Sequence, residues 1–145
     1  MTLKKNKMNL SEVEILKNGK VDPEEIKKLR ASVGWDNQEE LNGRILKNTY
    51  LYYIARQNDR LIGFISVISD GVADAMLLNL MIHPELQGQG IGTYLVQQVI
   101  KDLQAEGIRC IHVTFEENLE DFYKQFGFFI FKGGIIDFDN MKIEL

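Results

Sequence analysis

The sequence predicts a mixed α/β fold: one sheet of about seven strands, mostly antiparallel, with helices on both faces. Three observations carry this expectation. Strand-like runs at residues 49–56, 61–69 and 74–82 are joined by the turns Gln57-Asn58-Asp59-Arg60 and Asp70-Gly71, the pattern of an antiparallel meander. An amphipathic helix follows, with Ile91, Leu95, Val99 and Leu103 on one stripe and Gln97, Gln98, Lys101, Asp102 and Gln104 opposite. A strand over residues 110–115 comes after that crossover helix and is expected to lie parallel to residues 74–82. A chain of 145 residues, 45% hydrophobic and 26% charged, suits one domain over residues 1–145 with a single core.

In chain order, a weakly marked first strand falls within residues 8–16. A well-marked helix start comes next. Asp22 is the cap, Pro23 takes the first helical position, Glu25 completes a capping box, and Val21 and Ile26 stand at staple positions. This helix runs through Leu29 and stops near Gly34. Asn37 and Glu40 repeat the cap pattern for a second short helix through Leu41 and Ile45. Trp35 lies between the two helices and is expected as a core plug rather than as a wall of a pocket. After the long helix, Gly107 supplies the C-terminal cap. Glu116-Glu117-Asn118 leads into a short helix over residues 119–125 that Gly127 ends. Residues 128–131 and 135–145 supply the last two strands, paired antiparallel.

Several function classes lose ground on totals alone. A formal net charge of -4 argues against a general nucleic-acid binder. No apolar run has the length of a membrane span, and the basic N-terminus has no apolar segment behind it, so neither a membrane protein nor a signal peptide is expected. Cys110 is the only cysteine, which excludes an internal disulfide and a multi-cysteine zinc site and fits a reducing cytoplasm. It is expected as a small buried strand residue. No metal is expected.

The organising stretch is residues 77–93. An apolar run ends at His83-Pro84, a loop with Gly88, Gly90 and Gly92 follows, and the long helix begins at once. Strand, glycine loop and helix start build an anion site, because the free N–H groups of the first turn and the helix dipole point at the ligand. The loop has no Gly-Lys-Ser/Thr, which rules out a P-loop. It has Thr93 where a dinucleotide fingerprint needs its third glycine, and the acidic residue expected about 20 positions on is missing.

What remains is Gln87-x-x-Gly90-x-Gly92. Together with Ile82-x-Pro84 before it and Phe122-Tyr123-Lys124-Gln125-Phe126-Gly127-Phe128 after it, this resembles the GCN5-related N-acetyltransferases, the GNAT superfamily, in a short stand-alone form. Element order agrees over essentially the whole chain. The resemblance implies acetyl-CoA as co-substrate. The backbone amides of Gly88, Gln89, Gly90, Ile91, Gly92 and Thr93, with Gln87 heading the motif, would cradle its pyrophosphate. The backbone of Leu80, Met81 and Ile82 would pair with its pantetheine arm. The parallel strands would splay beside Ile82, near Val113, and a main-chain N–H there would stabilise the oxyanion. Tyr123 would be the general acid that protonates the leaving thiolate. Without the resemblance, Tyr123 reads as a packing residue beside Phe122 and Phe126.

The chain departs from the family pattern in two places. The asparagine that contacts CoA in many members falls on Glu116 here, and Asn118 is the nearby candidate. The glutamate base of some members falls on Met76. Asp74, Glu116, Glu117, His112 or ordered water remain as alternatives for the base, and each side chain also has a plain structural role. His83 is expected as a solvated loop residue. The acceptor would be a small-molecule or peptide amine, bound by Val33-Gly34-Trp35, residues 50–53 and the C-terminal hairpin. The protein is expected as a monomer or homodimer. A non-catalytic acyl-CoA-binding or regulatory module is the rival reading.

Overall fold

The computed structural model describes residues 12–142 and Glu144. The chain divides into two compact units, Met1–Val113 and Thr114–Leu145. The first holds β1 (Val13–Lys17), α1 (Pro23–Ser32), α2 (Leu41–Asn48), β2 (Leu51–Gln57), β3 (Arg60–Ser69), β4 (Asp74–Ile82), α3 (Ile91–Ala105) and β5 (Cys110–His112). The second holds a 3-10 turn, Glu117–Leu119, and α4 (Glu120–Lys124).

Among the described residues the sheet has five strands in the order β1-β2-β3-β4-β5, not seven. β1 to β4 pair antiparallel in sequence order, and β5 joins β4 in parallel. The first strand begins later than expected; residues 8–11 lie outside the described residues. Residues 128–131 and 135–142 form no strand, and residues 143 and 145 lie outside the described set. The reason is that a strand exists only through its ladder. Phe129, Phe131, Ile135, Ile136 and Phe138 alternate poorly and are all exposed, so no buried face fixes a register for them.

Helices cover both faces of the sheet. Ile26 and Leu29 of α1 form one cluster with Ile54, Phe64 and Met81. Tyr53, the neighbour of Ile54 and hence on the other face, donates from its hydroxyl to Asp102 of α3 at 2.6 Å. Burial, then that bond, pushes the Tyr53 phenol upward. On this face Leu95, Val96, Val99 and Leu103 are wholly buried. Gly63 permits the closeness: a Cβ there would lie 3.0 Å from the Ala55 Cβ and 3.1 Å from Ile82 Cδ1. α3 ends as its sequence implies. Gly107 adopts φ +83, Gly107 N–H donates to the Gln104 carbonyl and Ile108 N–H to that of Leu103, which together make a Schellman motif.

The start of α1 matches its capping box. Asp22 Oδ1 accepts from Glu24 N–H at 2.9 Å and Asp22 N–H donates to Glu25 Oε2 at 2.9 Å. Arg56 of β2 then clamps Glu25 with both Nη atoms, at 2.8 and 2.9 Å, while reaching the Lys20 and Asp59 carbonyls. The Arg56 bond holds the Glu25 carboxyl down at about 2. A depressed folded value contributes stability above the unfolded carboxyl range that is lost as pH falls toward 2. Denaturant titration should therefore show Arg56→Met less stable than the parent by about 1–2 kcal/mol at pH 6. The gap should shrink between pH 4.5 and pH 2; a gap independent of pH would show that the pair contributes packing only.

Four local expectations are corrected. The start of α2 has Glu40 in cap position without a side-chain bond; Asn37 instead accepts from Glu39 N–H in a turn before the helix, because short polar side chains satisfy nearby loop amides as readily as helical ones. Trp35 is 42% exposed rather than a core plug; the Arg30 guanidinium lies 5.3 Å from its ring centre and covers it. Cys110 is exposed, not buried, because β5 is the edge of the sheet. The expected helix over residues 119–125 is split into the 3-10 turn and α4.

Candidate functional site

The loop between β4 and α3 is built by its own sequence. His83 Nδ1 accepts from Glu85 N–H at 3.2 Å and Pro84–Leu86 forms a 3-10 turn. Gln87 then folds back, its Nε2 donating to the Ile82 carbonyl at 2.9 Å. This amide clamps the loop to the end of β4. Gly88 at φ +75 and Gly90 at φ +91 lie in the left-handed region that glycine tolerates without strain. Gly90 is the N-cap of α3 and contributes no side chain, so the first turn of the helix has no side-chain cap.

The result is a run of unpaired donors. The N–H groups of Gly88, Gln89, Gly90, Ile91, Gly92 and Thr93 have no acceptor among the described residues. They stand where the dipole of a 15-residue helix is positive, an arrangement suited to an anion. Gln89 Oε1 is buried without a hydrogen-bond partner among the described residues.

Beside this loop, β4 offers backbone along one edge. Its pairing with β5 covers only Asp74, Ala75 and Met76, opposite Cys110, Ile111 and His112. From Leu77 to Ile82 that edge has no strand partner among the described residues. His83 N–H donates to the Ile62 carbonyl of β3, so by strand alternation the Ile82 N–H faces away from β3, toward the open edge. Leu80 and Met81 continue the same stretch, with Met81 2% exposed.

The sequence reading missed a bulge within this strand. Met81 pairs with Phe64 and Leu78 with Ser66, so β4 carries an extra residue there. Asn79 sits in it at φ +58. Its Nδ2 donates to Ser66 Oγ at 3.1 Å, Ser66 Oγ donates to the Leu78 carbonyl at 3.2 Å, and Arg30 Nη1 donates to Asn79 Oδ1 at 3.2 Å. The only sequence cue was an asparagine, a residue tolerant of the left-handed region, inside an apolar run.

Other candidates are placed as follows. Asp74 Oδ1 and His112 Nε2 lie 3.1 Å apart, both 59% exposed. They stand at the start of β4, roughly 16 Å along the strand from the bulge. Tyr50 and Tyr53 bond Glu106 and Asp102 around α3, whereas Tyr52 lies on the α1 face, stacked with Phe64 at 5.8 Å. In the second unit, Glu116, Glu117 and Asn118 are exposed. Tyr123 is 6% exposed. Its ring stacks on Phe115 at 4.8 Å and meets Phe122 and Phe128 edge-on at 4.9 and 6.0 Å. Burial pushes its phenol upward, so the hydroxyl keeps its proton through neutral pH.

Among the described residues no helix is long and apolar enough to cross a membrane, and no group of three His, Cys, Asp or Glu side chains could hold a metal ion.

An open strand edge, a donor-lined glycine loop and a helix start define an anion-binding protein of the mixed α/β type. Residues 19–144 match the acetyltransferase (GNAT) domain family. The chain is 33% identical over 123 residues to the uncharacterized N-acetyltransferase ycf52 of Gracilaria tenuistipitata var. liui, covering 81% of this chain and 68% of that one. The ycf52 protein of Pyropia yezoensis is 30% identical over 128 residues, with 85% and 74% covered. A GNAT family acetyltransferase of Streptococcus pneumoniae TIGR4 superimposes with a TM-score of 0.71 at 26% identity, over 89% of this chain and 99% of that one. The chain belongs to the GNAT family and is an acyltransferase.

Proposed function

We propose that the protein transfers the acetyl group of acetyl-CoA to a primary amine by direct attack, its two units acting together as one domain over residues 1–145. The run of six unpaired N–H groups from Gly88 to Thr93 carries this reading. A pyrophosphate needs many converging donors and no particular side chains, which is what the loop offers. The open edge of β4 offers the pantetheine amides a strand to join. Asn118 would supply a further contact.

In this mechanism the amine forms a C–N bond to the thioester carbonyl carbon. The oxyanion that develops is stabilised by the Ile82 main-chain N–H. The C–S bond then breaks, and Tyr123 donates its proton to the thiolate. The nitrogen releases its own proton to water or to one of the acidic candidates. The acceptor is a small-molecule or peptide amine, the assembly a monomer or homodimer, and the setting a reducing cytoplasm.

Two measurements test the proposal. Calorimetric titration with CoA should show saturable binding. Acetyl-CoA with a panel of amines, polyamines and short peptides should show amine-dependent thiol release. Absence of CoA binding would sink the reading of the loop. Binding without any amine-stimulated release would leave a non-catalytic acyl-CoA module.

A further inference from the structure

The first unit also contains a buried cation with no carboxylate in salt-bridge range among the described residues. Arg30 is 7% exposed, yet no carboxylate of the described residues comes within 4 Å of it. Asp36 gives Arg30 Nε its main-chain carbonyl, while its carboxylate accepts from Gln38 N–H at 2.8 Å and acts on the guanidinium only from beyond 4 Å. Nη1 gives one bond, to Asn79 Oδ1. Nη2 has no acceptor among the described residues and is not sealed from its surroundings. A buried charge left in this state is costly unless something pairs it. The guanidinium lines a cavity between α1, α2 and the bulged part of the sheet, whose other walls include Ile26, Asn42, Phe64, Asn79 and Met81.

We propose that Arg30 is a specificity residue for the acceptor and takes a carboxylate, so that the amine acetylated here belongs to a molecule that also carries a carboxyl group, such as an amino acid or a peptide end. This rests on the acetyl-transfer reading above. The planar fork of Nη1 and Nη2 fits the two oxygens of a carboxylate. The cavity itself is narrow and mixed in character, with Gln38, Asn42 and Asn79 beside Ile26, Phe64 and Met81, so the carboxylate would meet the fork from its open side. Asn79 connects it to β4 three residues before Ile82, so an acceptor anchored on Arg30 lies beside the open strand edge. A purely structural role, tying the last turn of α1 to the Asp36 carbonyl, would leave Nη2 with no task.

Trp35, the only tryptophan, reports on the site because Arg30 lies over its ring. The experiment is a fluorescence titration of the protein, with and without saturating CoA, using α-, β- and γ-amino acids and dipeptides, each beside its carboxamide. Carboxylates should give a saturable change that their amides do not. Arg30→Gln should abolish it and lower the carboxylate-over-amide ratio of kcat/KM at least about tenfold, the loss of a charge-assisted bidentate pair. Asn79→Asp, which supplies an internal carboxylate, should abolish the change as well and serves if Arg30→Gln does not fold. Equal responses to amides, a response to inorganic phosphate but to no carboxylate, or an unchanged response in both variants would overturn the assignment. CoA calorimetry on the same samples keeps the two readings apart: normal CoA binding without carboxylate selectivity defeats only the Arg30 proposal.

Discussion

Tyr123→Phe is expected to lower kcat by about 10²- to 10⁴-fold while leaving the CoA dissociation constant within a few-fold of the parent. The substitution removes one oxygen and keeps the ring. Phenylalanine can stack on Phe115 and meet Phe122 and Phe128 as tyrosine does, so the second unit should keep its packing. What disappears is the hydroxyl proton, which Phe115, Phe122 and Phe128 cannot supply. Burial raises the Tyr123 phenol above the ordinary tyrosine value of 10.0, so any fall in kcat from loss of this proton should have its midpoint above pH 10. Stopped-flow or steady-state thiol release, paired with CoA calorimetry, measures both halves. Unchanged kcat in the variant would remove Tyr123 from the chemistry and leave it as a packing residue.

Gly90→Val is expected to weaken CoA binding at least about tenfold, or roughly 1.4 kcal/mol. Gly90 holds φ +91 at the N-cap of α3. A β-branched residue there costs on the order of 1–2 kcal/mol or more in backbone strain. The strain can be relieved only by turning the peptide, and the N–H groups on either side turn with it. The penalty therefore falls on the donor run that faces the ligand. Circular dichroism should show the helix content retained, since fourteen or fifteen residues of α3 remain anchored by Leu95, Val96, Val99 and Leu103. Parent-like CoA affinity in a folded Gly90→Val protein would mean that the loop is not the pyrophosphate site.

Both experiments address features legible in the sequence. Elements whose cues are local were read nearly to the residue: the capping box of Asp22 and Glu25, the strand over Asp74–Ile82, the Ile91 start of α3 and the Schellman glycine at 107. Each depends on backbone preferences and on neighbours within one or two turns, so the string alone carries it. The family followed from glycine spacing for the same reason, because the donors of the loop are main-chain groups that the glycines free.

Features that depend on distant partners were not legible. Residues 128–131 and 135–142 have the composition of strands but lack a ladder, and composition cannot supply one. Cys110 has the character of a buried residue but lies in an edge strand. Trp35 has the character of a core plug but is exposed, with the buried Arg30 guanidinium against its ring. Arg30 meets Asn79 across 49 positions of chain, and only the bulge in β4 brings them together. The sequence by itself determined the locally cued elements, the glycine loop and the family, since these are set by short-range backbone geometry. The tertiary structure alone decided which side chains are buried, exposed or paired across the bulge in β4, because burial and charge pairing arise only when distant segments meet.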